Sequence, residues 1–383
     1  MPFDLTALID KLPPLRIPGL HPKEAVGIDL GSFSIKIIQL KGSAEQLELV
    51  RWSVIPITTV LEGEKSEPSP EEKKANSTAL LRTYRGSGKK IPKNAITSVS
   101  GNSIIVRYVK FPKLTPKELE KSIKTEAEPY IPFNIEEVFI SVYPFRDIQE
   151  EGKAKMETVL VAAKKDYVGQ RIEILEGSGF KPVIVDVDAF ALETVYESTE
   201  KQTPMQETVL IANIGFSKTN FSIVEKGISV VVKDSPIAGN TINKSIMKNL
   251  GIDANTSEKL KLSYGLILDE KEKQEALAEG KKEAVAVSDA VAVTLKDLVT
   301  ETKKIIQYYA TQGKDKKVDR MLISGGSANL KNLIPYLSTE LKIPAEKLNP
   351  FKKISGIEGV PEEHYSSLGI AAGLALRQSE SFS

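Results

Sequence analysis

The 383-residue sequence predicts an α/β protein of two lobes, each built on the same βββαβα core, with a small α+β subdomain inserted into the first lobe. Three observations predict this fold. A strand–turn–strand pattern with polar residues at its turn occurs in residues 26–40 and again in 209–225, and the elements that follow recur in the same order. Residues 103–176 form a unit with strands and helices of their own. A duplicated α/β core of this kind is expected to leave a cleft between its halves.

The first strand–turn–strand pattern carries candidate chemistry at its turn. Gly31 lets backbone N–H groups come close to an anion, Ser32 adds a hydroxyl, and Lys36 adds a point charge for phosphate. Asp29 precedes the turn and is expected to hold Mg²⁺ through water, since that cation prefers carboxylate oxygen and keeps most of its waters. An ordinary hairpin with a solvated tip is the alternative interpretation.

Composition excludes several classes of protein. The net charge of +1 gives no argument for nucleic acid binding. The absence of cysteine excludes disulfides, thiolate metal sites and cysteine nucleophiles, and the two histidines, His21 and His364, argue against a multi-histidine metal site. No apolar run is long enough to cross a bilayer and the first residues lack a signal-peptide pattern, so we expect a cytoplasmic protein with no direct membrane insertion.

The pattern of elements predicts where the lobes begin and end. Residues 1–24 read as an N-terminal tail, or alternatively as a docking arm, because a short amphipathic stretch precedes several prolines. The first lobe is expected to comprise residues 25–102 together with 177–205. Within it, the charged and proline-containing segment 62–76 reads as a surface loop that enters a helix near Ser77.

The inserted subdomain is predicted over residues 103–176. Thr115, Pro116 and Glu118 occupy the positions of an N-cap, a first helical residue and a capping-box acid, and the helix that they begin should stop by Pro129. An aromatic and proline cluster follows, which reads either as a partner-binding surface or as core at a helix end. Its members are Tyr130, Ile131, Pro132 and Phe133.

The second lobe is predicted over residues 206–383, with a helical subdomain at about 240–318. Its strand–turn–strand pattern repeats the first, with Asn213 before the turn and Gly215 at the bend. In a two-lobed cleft the two turns would grip a polyphosphate from opposite sides. Between a later strand and helix lies a loop that lets the backbone approach a ring or a phosphate closely, formed by Gly325, Gly326 and Ser327.

Further polar residues are candidates for the same cleft. Asp186 and Asp188 end a strand, which is a common place for a catalytic or metal-ordering carboxylate. Glu258 and Lys261 lie three residues apart on a predicted helix, so both can face one side. A solvent-facing ion pair is the simpler interpretation of the second pair.

The two turns, the Gly-Gly-Ser loop and their order resemble the actin-like ATPase superfamily, which includes sugar kinases, chaperone ATPases, actin, MreB and FtsA. Neither a P-loop nor a dinucleotide-binding glycine pattern is present. Over about residues 25–377 the sequence most resembles the PilM family of type IV pilus assembly. The segments that carry this resemblance are VGIDLGSFSIKIIQL, EAEPYIPFNIEEV, VIVDVDAFAL, GISVVVKDSPIAGNTIN, SEKLKLSYG, MLISGGSANLKNLIPYL and SSLGIAAGLALR.

The resemblance implies that ATP binds with Mg²⁺ between the lobes, with Asp29 ordering the metal through water and with Glu258 and Lys261 near the ribose and base. It also implies that the inserted subdomain is of the FtsA type. The residues expected to bind nucleotide are Asp29, Gly31, Ser32, Lys36, Asn213, Gly215, Gly239, Glu258, Lys261, Gly325, Gly326 and Ser327.

A peptide partner is implied as well. It is the short cytoplasmic N-terminus of the membrane protein PilN, expected to dock between the inserted subdomain and the first lobe, with the Tyr130 to Phe133 cluster as the candidate surface. The resemblance further implies contact with other proteins of the pilus assembly platform, a peripheral location at the inner membrane through those partners, and a role in pilus-dependent motility.

Two departures from the superfamily pattern bear on catalysis. Asn213 stands where an aspartate is usual, and the loop at Gly239 has one glycine where two are usual. Because asparagine supplies neither charge nor a base, we expect at most a slow ATPase. The alternatives are a phosphotransferase that uses Asp186 or Asp188 as its base, and an FtsA-like division protein, although the C-terminus is too short and polar for a membrane helix.

Overall fold

The computed structural model describes residues 24–43, 46–57, 69–88, 90–199, 207–313 and 315–380, and the side chains up to residue 377. The predicted N-terminal tail, apart from residue 24, lies outside the described residues. The strands are β1 (Ala25–Leu30), β2 (Ser34–Ser43), β3 (Gln46–Pro56), β4 (Asn94–Val99), β5 (Ile104–Pro112), β6 (Val138–Glu150), β7 (Lys153–Lys164), β8 (Lys181–Val187), β9 (Thr208–Ile214), β10 (Thr219–Glu225), β11 (Ile228–Ser235), β12 (Arg320–Ser324), β13 (Ala345–Lys347) and β14 (Ile354–Ser355). The α-helices are α1 (Pro70–Arg85), α2 (Pro116–Ala127), α3 (Lys165–Gly177), α4 (Asp188–Thr199), α5 (Gly239–Leu250), α6 (Ala254–Tyr264), α7 (Glu270–Ala278), α8 (Lys282–Ala310), α9 (Leu333–Leu341) and α10 (Gly369–Glu380).

Two sheets repeat one topology. The first has the strand order β14-β3-β2-β1-β4-β8 and the second has β11-β10-β9-β12-β13. In each, three antiparallel strands are followed by parallel ones: β1 pairs antiparallel with β2 and parallel with β4, as β9 does with β10 and β12. A helix follows each three-stranded meander, so the structure confirms the duplicated core that the sequence predicts.

The third sheet, β5-β7-β6, is the centre of the inserted subdomain. Its core is a hydrophobic cluster that includes Phe111, Leu119, Ile131 and Leu160. Helix α2 packs on this sheet and begins as predicted, because the Thr115 side chain accepts a hydrogen bond from the Glu118 backbone while the Glu118 carboxylate accepts one from the Thr115 backbone N–H.

Helix α1 begins earlier than its predicted start near Ser77. Ser69 is its N-cap, Pro70 is its first residue, and Glu72 completes a capping box of the same kind as that of α2. The end of the segment interpreted as a charged surface loop is therefore a helix, because the Ser69 hydroxyl accepts from the Glu72 N–H of the first turn and the Glu72 carboxylate accepts from the Ser69 N–H.

Two helices pack between the two main sheets. Ala191 on α4 and Leu374 on α10 share one hydrophobic cluster with Ile38 of the first sheet and Ile211 of the second. The helices approach so closely that a Cβ atom on Gly373 would lie 1.9 Å from the Ala191 carbonyl oxygen. This packing makes α4 and α10 the common core of both lobes.

Two predicted boundaries differ from the packing. The predicted inserted subdomain, residues 103–176, includes most of helix α3. In the structure Leu175 of that helix is buried in the core of the first sheet with Ile28 and Leu81. The C-terminal part of the predicted second lobe also returns to the first sheet, since β14 pairs with β3 and α10 packs on β1. The other boundaries stay predictions. Within the described residues, no helix combines the length and apolar character needed to cross a membrane.

Candidate functional site

The turns of the two predicted hairpins face each other across the cleft. The Ser32 and Ser217 hydroxyl oxygens lie 2.8 Å apart, and the Phe33 and Phe216 ring centroids lie 5.0 Å apart. Behind these tips lies a cavity of about 640 Å³, lined by residues of both lobes and of helices α3 and α6. A volume of this size fits a nucleotide-sized ligand.

All twelve residues expected to bind nucleotide line this one cavity, although they come from five separate segments of the chain. They are Asp29, Gly31, Ser32, Lys36, Asn213, Gly215, Gly239, Glu258, Lys261, Gly325, Gly326 and Ser327. Their roles in binding stay predictions, but their convergence shows that the fold brings the predicted set together.

The first hairpin carries a buried ion pair. Asp29 and Lys36 face each other in the β1–β2 register, and the Lys36 Nζ lies 3.0 Å from the Asp29 carboxylate. Burial raises the pKa of Asp29 above its ordinary value, although Lys36 opposes this shift, and the nearby Asp188 raises it further. Because burial disfavours the charged carboxylate in spite of Lys36, a second cation at this position would stabilise its charged form.

The second hairpin has neutral amides at the equivalent positions. Asn213 and Asn220 face each other in the β9–β10 register, and the Asn213 Nδ2 donates to the Asn220 Oδ1 at 2.9 Å. Asn220 in turn donates to Asp234 at 2.6 Å, and Asp234 accepts a hydrogen bond from the Gly101 backbone N–H of the first lobe. This chain of hydrogen bonds joins the two lobes behind the cavity.

Three glycines give the cavity a cradle that a side chain would fill. A Cβ atom on Gly325, whose φ is +89°, would lie 2.4 Å from the Ile214 carbonyl oxygen. On Gly31 it would lie 2.7 Å from the Lys36 Nζ, and on Gly239 it would lie 2.9 Å from the Ser327 Oγ. Helix α5 begins at Gly239, so the positive end of its dipole lies at the cavity, where it favours a phosphate. The Gly239 and Asn240 N–H groups themselves donate to the Gly215 and Phe216 carbonyl oxygens, at 3.0 Å and 2.7 Å.

Helices α5 and α6 supply a buried polar group at the cavity. The Lys261 Nζ lies 2.6 Å from the Glu258 carboxylate, which also accepts a hydrogen bond from the Asn243 amide at 2.6 Å. Lys261 is only 5% exposed, and burial lowers its pKa in spite of Glu258. The simpler interpretation of a solvent-facing pair is wrong, because this pair is desolvated and lines the cavity.

The carboxylates of Asp186 and Asp188, at and just after the end of β8, lie in different surroundings. Asp188 lines the cavity and accepts hydrogen bonds from Ser98 at 2.6 Å and Ser100 at 2.5 Å. Asp186 does not line it, because its buried carboxylate pairs with the Arg377 Nε at 2.7 Å. The structure therefore gives Asp186 a structural role and does not bring it to the cavity as a catalytic base.

The cavity is also lined by residues that were not predicted from the sequence, among them Tyr167, Arg171 and Lys218. Arg171 and Tyr167 lie one turn apart on α3, where they read as an ordinary amphipathic face. Their spacing of four residues indicates a shared helix face, but the sequence does not show that this face packs at the cavity. Lys218 is recognisable as part of the second turn, but the sequence alone assigns it no function.

The predicted partner cluster divides between surface and core. Ile131 is buried in the core of the inserted subdomain, whereas Tyr130 is 39% exposed. Pro132 and Phe133 line a second cavity of about 230 Å³, whose other walls include Arg107 and Asp234. The core interpretation thus holds for Ile131 and in part for Phe133, which is half-buried and packs against the same core, whereas Tyr130 and Pro132 are exposed.

Comparison with solved structures defines the class of this fold. The chain resembles the solved MamK double helical filament (TM-score 0.54, 10% identity, covering 93% of this chain and 98% of that chain). It also resembles MreB 5 of Spiroplasma citri bound to AMPPNP (TM-score 0.50, 11% identity, 94% and 97%). The fold is a two-lobed actin-like fold.

A nearer structural relative is the solved PilM-PilN type IV pilus biogenesis complex, with a TM-score of 0.77, 23% identity, and coverage of 94% of this chain and 99% of that chain. The family model described as type IV pilus assembly protein PilM matches residues 27–379. The chain therefore belongs to the PilM family of type IV pilus assembly proteins.

Proposed function

We propose that this protein is an ATP-binding scaffold of the type IV pilus assembly platform that binds the cytoplasmic N-terminal peptide of a PilN-type membrane protein. The observation that carries the nucleotide part is the convergence of all twelve predicted residues on one cavity between the lobes. Family membership supports the part concerning pilus assembly.

The residues present fit ATP with Mg²⁺. The glycines of the turns would let the backbone approach phosphates, the positive end of the α5 dipole would attract them, and the desolvated Glu258–Lys261 pair would lie near the ribose and base. Among the described residues no three acidic or histidine side chains form a metal site of their own. The single carboxylate of Asp29 fits a metal that is carried in on phosphate oxygens and held through water. The AMPPNP in the MreB 5 structure supports nucleotide as the ligand class.

Recruitment is favoured over fast turnover by the chemistry of the cleft. Asn213 supplies no charge and no base, and Asp188 already accepts two serine hydrogen bonds. The protein is therefore at most a slow ATPase, and ATP acts by holding the lobes together. If so, Asn213→Asp should raise the rate of phosphate release from ATP, and an unchanged rate would argue against this account of the slow step.

The ATP site is tested by calorimetric titration of Mg²⁺ and ATP into the full chain and into Asp29→Ala. We expect micromolar binding that the variant loses. A melting experiment provides a second readout, since a hundredfold excess over Kd stabilises the folded state by about 2.7 kcal/mol. Wild-type protein that shows neither heat of binding nor a shift in melting would refute the proposed ATP site.

The partner is proposed to contact the accessible part of the Tyr130 to Phe133 cluster. The resemblance to the PilM-PilN complex supports a PilN-type peptide as the occupant. Such a partner would keep the protein at the cytoplasmic face of the inner membrane as a peripheral component, beside other proteins of the platform. A role in pilus-dependent motility would follow from that position.

The partner surface is tested with a synthetic peptide of the PilN cytoplasmic N-terminus. Phe133→Ala should weaken peptide binding while leaving ATP binding unchanged, because Phe133 does not itself line the first cavity, although the two cavities adjoin at Ser100 and Asn220. Tyr308→Ala is the matched control, since Tyr308 is an exposed aromatic residue on α8. If both variants bind the peptide like wild type, the cluster is not the partner surface.

A further inference from the structure

Besides Lys73, two cations line the cavity that the nucleotide site as proposed does not use. Arg171 on α3 and Lys218 in the second hairpin both line it, and they come from opposite sides of the cleft. Within the described residues neither forms an ion pair with a carboxylate, whereas Lys36 and Lys261 in the same cavity both do.

Arg171 is held in place by neutral oxygens. Its Nη1 donates to the Leu30 carbonyl oxygen at 2.7 Å, next to the first phosphate-type turn, and its Nη2 donates to the Tyr167 hydroxyl at 3.1 Å. A guanidinium carries more N–H donors than these contacts use, so donors remain for a ligand. The side chain is thus fixed without a direct ion pair. Burial would lower its pKa, but the Tyr167 phenol and the nearby Asp188 and Asp29 carboxylates raise it, so Arg171 stays charged.

Lys218 is held in the same way from the other lobe. Its Nζ donates to the Ser100 carbonyl oxygen at 2.9 Å and to the Ser100 Oγ at 3.2 Å, which leaves a third donor. The Tyr167 phenol is close to both cations. Burial alone would raise its pKa, but Arg171 and Lys218 together lower it below the ordinary value.

Two fixed cations that flank a polar cavity select an anion, and the anion must reach the turn at Leu30 and Gly31 from inside the cleft. We propose that Arg171 and Lys218 bind the terminal phosphate of a nucleoside triphosphate, so that the cavity prefers a triphosphate to a diphosphate. This inference rests on the proposed nucleotide site and adds to it a preference for ATP over ADP. Helix α3 packs in the core of the first lobe and also, through Val168, against Phe139 and Ala163 of the inserted subdomain, so the contact also links that subdomain to the state of the nucleotide.

The test compares ATP with ADP, each with Mg²⁺, by calorimetry on the full chain. Removing one charged hydrogen-bond donor should weaken ATP binding about tenfold to a hundredfold in Arg171→Gln and Lys218→Gln, with the ADP Kd changed less than about twofold. Arg171→Lys keeps the charge and should recover part of the preference for ATP. Lys73→Gln is the matched control, because Lys73 lines the cavity without a role in this inference.

The outcomes separate this inference from the site on which it rests. Wild-type protein that binds neither nucleotide refutes the proposed ATP site and this inference together. Wild-type protein that binds ATP and ADP equally refutes the inference alone. Equal weakening of ATP and ADP in Arg171→Gln and Lys218→Gln means that both residues only support the turns, which also refutes it. Inorganic phosphate that binds as tightly as ATP, and is lost in the same variants, would assign the cations to a free anion instead.

Discussion

The two hairpins at the cleft have the same backbone and different chemistry. In the β1–β2 hairpin the facing residues are the buried ion pair of Asp29 and Lys36, whereas in the β9–β10 hairpin they are the amides of Asn213 and Asn220. The duplication therefore preserves the strand–turn–strand topology on both sides, and at the facing strand positions it leaves charge in the first hairpin only. We infer that the first hairpin handles the metal and that the second positions the ligand and joins the lobes.

The largest effect should come from removing one side chain from each hairpin. Asp29→Ala should weaken binding of ATP with Mg²⁺ about a hundredfold and Asn213→Ala only about fivefold, because charged hydrogen bonds contribute more than neutral ones. Calorimetric titration of both variants measures the difference. Equal losses would mean that charge does not distinguish the hairpins.

A second prediction concerns variants that recreate the Asp29–Lys36 ion pair at the equivalent positions of the second hairpin. Asn213→Asp should lower the free energy of unfolding by about 1 to 3 kcal/mol in nucleotide-free protein, because it buries a carboxylate beside Asn220, whose amide already binds Asp234. Adding Asn220→Lys should recover much of that loss by recreating the pair of the first hairpin. Urea unfolding of the single and double variants is the measurement, and a double variant no more stable than Asn213→Asp would contradict it.

A smaller effect is expected where the hairpins touch. The ring contact between Phe33 and Phe216 should give a coupling free energy of about 1 kcal/mol in a double-mutant cycle. The Ser32 and Ser217 hydroxyls are exposed, so their cycle should give less. Zero coupling for the rings would show that the tips do not hold the lobes together.

The smallest effect concerns pH. Burial raises the pKa of Asp29 in the folded protein above 3.8, so the folded state holds a proton that the unfolded state has released. The quantity to follow is the free energy of unfolding of wild type minus that of Asp29→Asn. This difference should fall as pH rises from about 3.8 to the pKa of Asp29 in the folded protein, and it should stay level at higher pH. A difference that rises with pH over this window would show that Lys36 outweighs the burial of Asp29.

Local sequence predicted the elements well where one signal dominated. The Thr115, Pro116 and Glu118 pattern identified the start of α2, and the same signature at Ser69, Pro70 and Glu72 begins α1. The second signature was missed because the charges and prolines around it suggested a loop. The glycine turns were predictable because a ligand cradle requires residues without side chains at those points.

What the sequence did not predict depends on distant partners. Asp186 and Asp188 look equivalent in sequence, yet Arg377, nearly two hundred residues away, pairs with the first, while Ser98 and Ser100 orient the second into the cavity. Arg171 and Lys218 likewise gain a role only when the cleft is assembled. Side chains whose partners lie in other elements cannot be sorted from a local pattern.

The return of the C-terminal segment to the first sheet has a consequence for synthesis on the ribosome. Ser355 in β14 binds the Leu47 carbonyl oxygen of β3, 308 residues earlier in the chain, and α10 fills the core behind β1. The first lobe therefore emerges with one sheet edge unpaired and one face uncovered, and both stay so until nearly the whole chain has been made. A nascent chain stalled before residue 350 should thus present an incomplete cleft, and the proposed nucleotide site is completed only late in translation.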